Sequence, residues 1–156
     1  MIFVTVGTQL AFPRLIEAMD TLALNLDEKV VAQCGPVKGI WNNLTAVQSM
    51  APEAFQKNFN AARVIVSHAG IGTILSAKTA GKPLIILPRQ FKFGEHRNDH
   101  QMATAKYAQS LNGVHVAWQV EDIEGLLKAS DLVGASDLPG PSHDALISRL
   151  RQFIDS

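Results

Sequence analysis

The sequence lacks the features that mark several large classes of protein. It contains one cysteine, Cys34, in 156 residues, so it cannot form an internal disulfide. Fourteen basic residues balance fourteen acidic ones, which argues against the positive surface by which nucleic-acid-binding proteins neutralise phosphates. The densest apolar run, Leu84–Leu87, is far shorter than the roughly 20 residues of a membrane-spanning helix. We therefore expect any association with a membrane to go through a partner or a surface patch.

Two further absences bear on localisation and domain organisation. The chain opens directly on the apolar run from Ile2 to Val6, with neither the basic flank nor the cleavage site of a secretory signal, which favours a cytoplasmic protein. There is no internal repeat and no low-complexity segment. With 47% hydrophobic and 18% charged residues, the composition is typical of a folded chain. The sequence predicts a single domain over residues 1–156.

Apolar runs typical of strands alternate with segments of helical periodicity. This alternation predicts an α/β fold, a Rossmann-like and mainly parallel sheet with helices on both faces. The strands are expected at 2–6, 29–33, 63–67, 83–87 and 114–117, with one short strand within 37–50, and the helices at 15–26, 52–60, 70–80, 98–111, 121–129 and 144–154. The last helix either packs on the sheet or, as part of residues 140–156, docks a partner.

Two glycines follow the predicted strand at 63–67. In the loop from Ser67 to Thr73, Gly70 and Gly72 let backbone approach an anion, and the free N–H groups of the following helix favour phosphate. A tight turn without a ligand is the alternative. The dinucleotide pattern requires a glycine where Leu75 stands, and the Walker pattern also fails. His68, at the carboxyl end of its strand, either hydrogen-bonds a ligand or holds the loop.

A second polar cluster, from Gly94 to Gln101, follows the next strand and belongs at the same edge of the sheet. Paired donors and acceptors suit sugar hydroxyls. Arg89 or Arg97 is expected to assist in binding such a ligand if its side chain points into the cleft at this edge of the sheet. His96 and His100 also have metal-ligand spacing, which leaves a metal site as a weaker alternative. Gly7 and Thr8 join this edge if the first strand is central, and Thr8 otherwise caps a helix.

Several motifs together resemble the glycosyltransferase family 28 C-terminal domain, the donor-binding half of GT-B glycosyltransferases. They are His68-Ala69-Gly70-Ile71-Gly72-Thr73, Gly81-Lys82-Pro83, Pro88, His100-Gln101 with Ala105, and the opening Phe3-Val4-Thr5-Val6-Gly7-Thr8. The resemblance implies that His68 and the glycine loop meet the donor diphosphate and that Gln101 contacts the sugar. Ser76 stands where the family often has a glutamate for the ribose, and His100 stands where an Asp-Gln pair has its aspartate.

The predicted site follows from both lines of argument. His68 is expected to stabilise the leaving diphosphate, and the substrate-binding set comprises Gly7, Thr8, Gly70, Ile71, Gly72, Thr73, Ser76, Arg89, Glu95, Asn98, Asp99, His100 and Gln101. No metal and no cofactor are expected.

A GT-B enzyme has two such domains, and chains of this size resemble the small subunits of two-chain transferases, both eukaryotic (dolichol-linked) and bacterial (exopolysaccharide). The run from Gly94 to Gln101 resembles the bacterial group more closely. The resemblance implies the donor-binding subunit of an inverting transferase that moves a sugar from a UDP-sugar to a polyprenyl-diphosphate-linked acceptor. Its expected partner is a membrane-anchored, acceptor-binding subunit, which places the chain at the inner face of the membrane. A stand-alone nucleotide-sugar-binding or regulatory module without turnover is the alternative.

Overall fold

The computed structural model describes residues 1–8, 10–37, 39–129 and 132–136. Strands and helices alternate along these residues as the sequence predicts. Their bounds are β1 Ile2–Thr5, α1 Pro13–Ala23, β2 Val30–Gln33, β3 Thr45–Val47, α2 Pro52–Ala61, β4 Val64–His68, α3 Ile71–Ala80, β5 Leu84–Leu87, α4 His100–Ala108, β6 Val114–Val116 and α5 Glu121–Lys128. The helix predicted at 144–154, and with it the docking segment 140–156, lies outside the described residues.

The strands form one sheet in the order β3-β2-β1-β4-β5-β6, and every neighbouring pair is parallel. The predicted Rossmann-like α/β fold is therefore confirmed. After β3 at one edge the chain returns to the middle and adds β4 on the other side of β1, which makes the β1/β4 boundary the switch point of the topology. Ligands of such sheets bind outside the carboxyl ends of the strands at this point.

The two faces of the sheet bury different sets of side chains because successive strand residues point to opposite sides. Val4 and Val66 face a core that includes residues of α1 and α5. Phe3 and Ile65 face the other core, to which α2, α3 and α4 contribute. Helices thus cover both faces, and the central strands are buried except at His68, the last residue of β4. Such continuous burial explains why these strands have apolar rather than alternating sequences.

The helix ends follow local sequence signals. Pro52 is at the start of α2, as predicted. Gly81 ends α3 in the left-handed conformation, with φ of 65°, and its N–H bonds the carbonyls of Ala77 and Lys78. The segment 89–98, predicted as a loop, contains a short 3-10 turn at Phe91–Phe93, which Gly94 closes with φ of 69°. In the part of the chain that is described, no helix is long and apolar enough to cross a membrane.

Candidate functional site

A cavity of about 470 Å³ opens at the switch point, where the loops after β1 and β4 lie side by side. Its predicted wall residues are Gly7, Thr8, His68, Gly70, Gly72, Thr73, Ser76, Arg89 and Gln101, and Val6, Leu10, Phe55 and His96 complete it. We refer to it as the crevice. The condition set for Gly7 and Thr8 is met, since β1 pairs with both β2 and β4. Helix α1 has Phe12 at its N-cap and no side-chain cap, so Thr8 does not serve there.

Helix α3 begins at the crevice without a side-chain cap. Gly70 occupies the N-cap in an extended conformation, with φ of −97° and ψ of 136°. The N–H groups of Ile71, Gly72 and Thr73 belong to the first turn, which has no intrahelical acceptors. Together with the helix dipole they favour an anion. A methyl group at Gly72 would have no atom within 4 Å, so the backbone there is open to a ligand.

His68 is held at one ring nitrogen by two side chains. Its Nδ1 lies 2.8 Å from Nη1 of Arg89 and 3.1 Å from Nε2 of Gln101. The other edge of the ring lies against the glycines of the crevice, since a methyl carbon at Gly70 would be 2.5 Å from Cε1, and one at Gly7 would be 3.2 Å from Nε2. A side chain at Gly70 would therefore overlap the ring, whereas at Gly7 the contact is only tight and the φ of 79° is the stronger reason for glycine.

Arg89 lies beneath the crevice and is 3% exposed. Its Nη2 donates to the carbonyls of Val6 and Leu10, both at 2.7 Å, and its guanidinium carbon lies 5.0 Å from the centre of the Phe12 ring. Burial lowers the pKa of Arg89 to about 10, although the charge of Glu95 acts in the opposite direction. The guanidinium therefore stays charged at neutral pH and gives the crevice a fixed positive charge.

Gln101 connects the loops that follow β4 and β5. Its Oε1 accepts from the backbone N–H of Ala69 at 3.2 Å and from that of Arg89 at 3.0 Å. Its side chain is 8% exposed and borders the crevice. The amide thus already has three partners within the protein, counting His68.

Burial is the main reason why the pKa of His68 is lowered to about 3, and the neighbouring Arg89 and His96 act in the same direction. The imidazole is consequently neutral at physiological pH and acts as a hydrogen-bonding group rather than as a cation.

The remaining residues of the predicted polar cluster are not among those that line the crevice. Glu95 forms a two-pronged ion pair with Arg14, at 2.8 and 2.9 Å, and accepts from the N–H of Gln90. Asp99 accepts from the N–H of Phe91, and Asn98 accepts from that of His100. These bonds shape the loop between β5 and α4. Sequence reasoning missed Arg14, whose contact with Glu95 spans 81 residues and leaves no local signal.

A metal centre and a second cavity are the two alternatives to the crevice. Within the residues that the structure describes, no three His, Cys, Asp or Glu side chains come together as metal ligands. A larger, open groove of about 840 Å³ runs beside α1 and is lined in part by Leu22, Phe93 and Val120. It contains none of the glycine-loop residues, so we place the functional site in the crevice.

A parallel sheet with an uncapped helix start and a buried cation at its switch point is a Rossmann-like domain suited to a phosphorylated ligand. The profile of the glycosyltransferase family 28 C-terminal domain matches residues 1–134. The chain therefore belongs to that family. No curated protein sequence matches it significantly.

Solved glycosyltransferase structures share the fold. MurG of Acinetobacter baumannii is 21% identical with a TM-score of 0.62, over 96% of this chain and 49% of MurG. The glycotransferase of kitacinnamycin is 20% identical with a TM-score of 0.61, over 99% of this chain and 39% of the other. The solution structure of ALG13 is 18% identical with a TM-score of 0.61, over 96% of this chain and 93% of ALG13. The chain thus spans half or less of the first two proteins and nearly all of the third.

Proposed function

We propose that this chain binds the UDP-sugar donor of an inverting glycosyltransferase, with the donor diphosphate at the start of α3. The observation that carries the proposal is the convergence, in one crevice, of the uncapped start of α3, His68 and the charge of Arg89. Its volume is within the usual range of small-molecule sites, about 300–1,000 Å³. The family of the chain supports a glycosyl donor over other phosphorylated ligands.

The residues of the crevice would act on the leaving group. As an acceptor oxygen attacks the anomeric carbon from the opposite side, the bond from that carbon to the diphosphate breaks and negative charge grows on UDP. The N–H groups of Gly72 and Thr73 and the Nε2–H of His68 would stabilise this charge. Thr73 and Ser76, further along α3, would face the nucleoside, and Gln101 and His96 would border the sugar.

The acceptor and its base would come from another chain. No carboxylate occurs among the described residues that line the crevice, and the chain spans only 49% of MurG but 93% of ALG13. We infer a membrane-anchored subunit that presents a polyprenyl-diphosphate-linked acceptor. The resemblance of residues 94–101 to bacterial exopolysaccharide transferases supports that pathway class.

Ligand binding tests the donor site directly. We expect UDP and UDP-sugars to raise the melting temperature of the purified chain. His68→Ala should weaken binding tenfold or more, because a hydrogen bond to a charged group contributes about 1.5–3 kcal/mol. His115→Ala, a change of the same kind in β6 outside the crevice, should bind normally. If no UDP ligand stabilises the wild type, the donor-site proposal is wrong.

Turnover tests the subunit assignment. Membranes that contain a candidate membrane-anchored, acceptor-binding subunit should transfer labelled sugar from a UDP-sugar to the polyprenyl-diphosphate-linked acceptor only when this chain is added. Binding of UDP-sugar without transfer, with every such subunit tried, would instead favour a regulatory module.

A further inference from the structure

The surroundings of His68 assign roles to two residues that need not touch the donor. Resting on the proposed function, we propose that Arg89 and Gln101 are positioning residues that hold His68 as a neutral imidazole with its proton on Nε2, directed at the donor diphosphate.

The orientation of the Gln101 amide is fixed by the backbone. Two N–H groups, those of Ala69 and Arg89, point at the same atom of this amide, at 3.2 and 3.0 Å. Only an oxygen can accept from both of them. The other end of the amide is therefore the NH₂ group, and it lies 3.1 Å from Nδ1 of His68. Gln101 can only donate to that nitrogen.

The second neighbour of Nδ1 is also an obligate donor. The guanidinium of Arg89 has no acceptor atom, and its Nη1 lies 2.8 Å from Nδ1. Its Nη2 is anchored to the carbonyls of Val6 and Leu10, so the group cannot turn away without breaking those bonds. Two donors on one ring nitrogen require a lone pair there. Nδ1 consequently carries no proton, and the proton of the neutral ring is on Nε2.

The charges around His68 agree with this assignment. Arg89 and His96 line the crevice together with it, and no carboxylate does so among the described residues. Glu95, in the loop after β5, is already paired with Arg14. Burial and the charge of Arg89 hold the pKa of His68 at about 3. A proton added to Nδ1 would also point at the guanidinium. The ring therefore remains neutral across the physiological range.

The consequence is a hydrogen-bond donor, the Nε2–H of His68, whose protonation does not depend on pH in this range. Nε2 lies on the side of Gly7 and Gly70, which line the crevice, so its N–H can reach a diphosphate oxygen. The charge of Arg89 polarises the ring through Nδ1 and strengthens the hydrogen bond that Nε2–H donates. The guanidinium thus acts on the bound UDP-sugar through His68.

Nitrogen NMR of the imidazole reads the tautomer without any ligand. In the wild-type chain, we expect Nδ1 of His68 to resonate as an unprotonated nitrogen and Nε2 as a protonated one, unchanged from pH 5 to 8. A His68→Gln variant, which removes one of the five histidines, identifies which of the signals belong to His68. A proton on Nδ1, or titration of His68 within that range, would overturn the proposal. Since no ligand is present, this result is independent of whether the proposed function holds.

Gln101→Glu is the matching perturbation. The carboxylate still accepts from Ala69 and Arg89, but it can no longer donate to His68 and so favours a proton on Nδ1. We expect His68 to titrate near neutrality and the affinity for UDP-glucose, whose charge is constant in this range, to fall about tenfold from pH 6 to pH 8. Wild type and Gln109→Glu, the same change on the exposed end of α4, should change little. A pH-independent affinity in Gln101→Glu would contradict the positioning role.

Arg89→Lys tests the other partner. Lysine keeps the charge, but its single nitrogen cannot occupy both the position of Nη1 beside His68 and that of Nη2 beside the two carbonyls. We expect a loss of UDP-glucose affinity and a mixture of His68 tautomers in the same NMR experiment. A His68 spectrum identical to that of the wild type would show that Arg89 does not position the ring. The wild-type spectrum decides the proposal even if this variant does not fold.

Discussion

Replacing Gly70 with alanine should destabilise the protein, because the new methyl group would overlap the ring of His68. The backbone at Gly70, with φ of −97° and ψ of 136°, is open to any residue, so the substitution causes no backbone strain. The added methyl carbon would lie 2.5 Å from Cε1 and 2.8 Å from Nε2 of His68. The ring cannot step aside, because Arg89 and Gln101 hold Nδ1 at 2.8 and 3.1 Å. Either the overlap stays or those hydrogen bonds break.

The magnitude follows from the two outcomes. Overpacking of a buried site costs about 1–3 kcal/mol, and loss of the bonds to Nδ1 costs about 1 kcal/mol each. We therefore expect Gly70→Ala to lower the free energy of unfolding by about 2 kcal/mol. Gly72→Ala is the matched control, two residues away, with no atom within 4 Å of the new methyl group. Alanine in a helix is favoured over glycine by up to about 1 kcal/mol, so this variant should be unchanged or more stable.

Urea unfolding of both variants measures the difference, which should be about 2–3 kcal/mol from these two terms, with equal m-values. If the two variants unfold at the same urea concentration, the ring of His68 is not confined as described. If the donor binds as proposed, the affinity for UDP is a second readout, because the displaced ring of His68 in Gly70→Ala would no longer present Nε2 to the diphosphate.

Two further predictions concern stability. The folded-state pKa of His68 is lowered from 6.5 to about 3, so its contribution to the free energy of unfolding is complete above about pH 6.5 and is lost as the pH falls toward 3. Acidification from pH 7 to 5 should therefore lower the free energy of unfolding by about 2 kcal/mol, and His68→Gln should lack that part of the loss in urea unfolding. Arg14→Met leaves the nearly buried carboxylate of Glu95 without its ion pair and should lower the free energy of unfolding by about 3 kcal/mol. Arg63→Met breaks the more exposed pair with Glu28 and should lower it by less than about 1 kcal/mol in the same experiment.

The sequence predicted the described elements well because their signals are local. Buried strands such as β4 and β5 are continuous apolar runs, and proline and glycine mark helix ends, as at Pro52 and Gly81. The observed bounds differ from the predicted ones by at most three residues, and several coincide. The central position of β1 was only a condition in the sequence argument, since strand order depends on pairing between distant segments.

The candidate site was predicted only in outline. The glycine loop and His68 could be placed because they follow one strand directly. Arg89 and Gln101 were expected at the same site, but their hydrogen bonds to His68 could not be predicted, since they span 21 and 33 residues. The interpretation of residues 94–101 as a sugar-binding cluster took polarity as a sign of ligand contact. In the structure, Glu95, Asn98 and Asp99 bond backbone groups or Arg14, and their contact with a sugar stays a prediction. Polar composition alone does not distinguish a loop that binds a ligand from one that fixes its own shape.

The pairing of Glu95 with Arg14 explains why the charge of Arg89 remains available to the crevice. A buried cation is normally compensated by a nearby carboxylate, and Glu95 is close enough to raise the pKa of Arg89. Arg14 takes both carboxylate oxygens, so Arg89 meets only carbonyls, His68 and an aromatic ring. Its charge is stabilised by these contacts, but no carboxylate among the described residues forms an ion pair with it. If a diphosphate occupies the crevice, it supplies the missing negative charge, and the affinity for that anion rests on this unpaired cation.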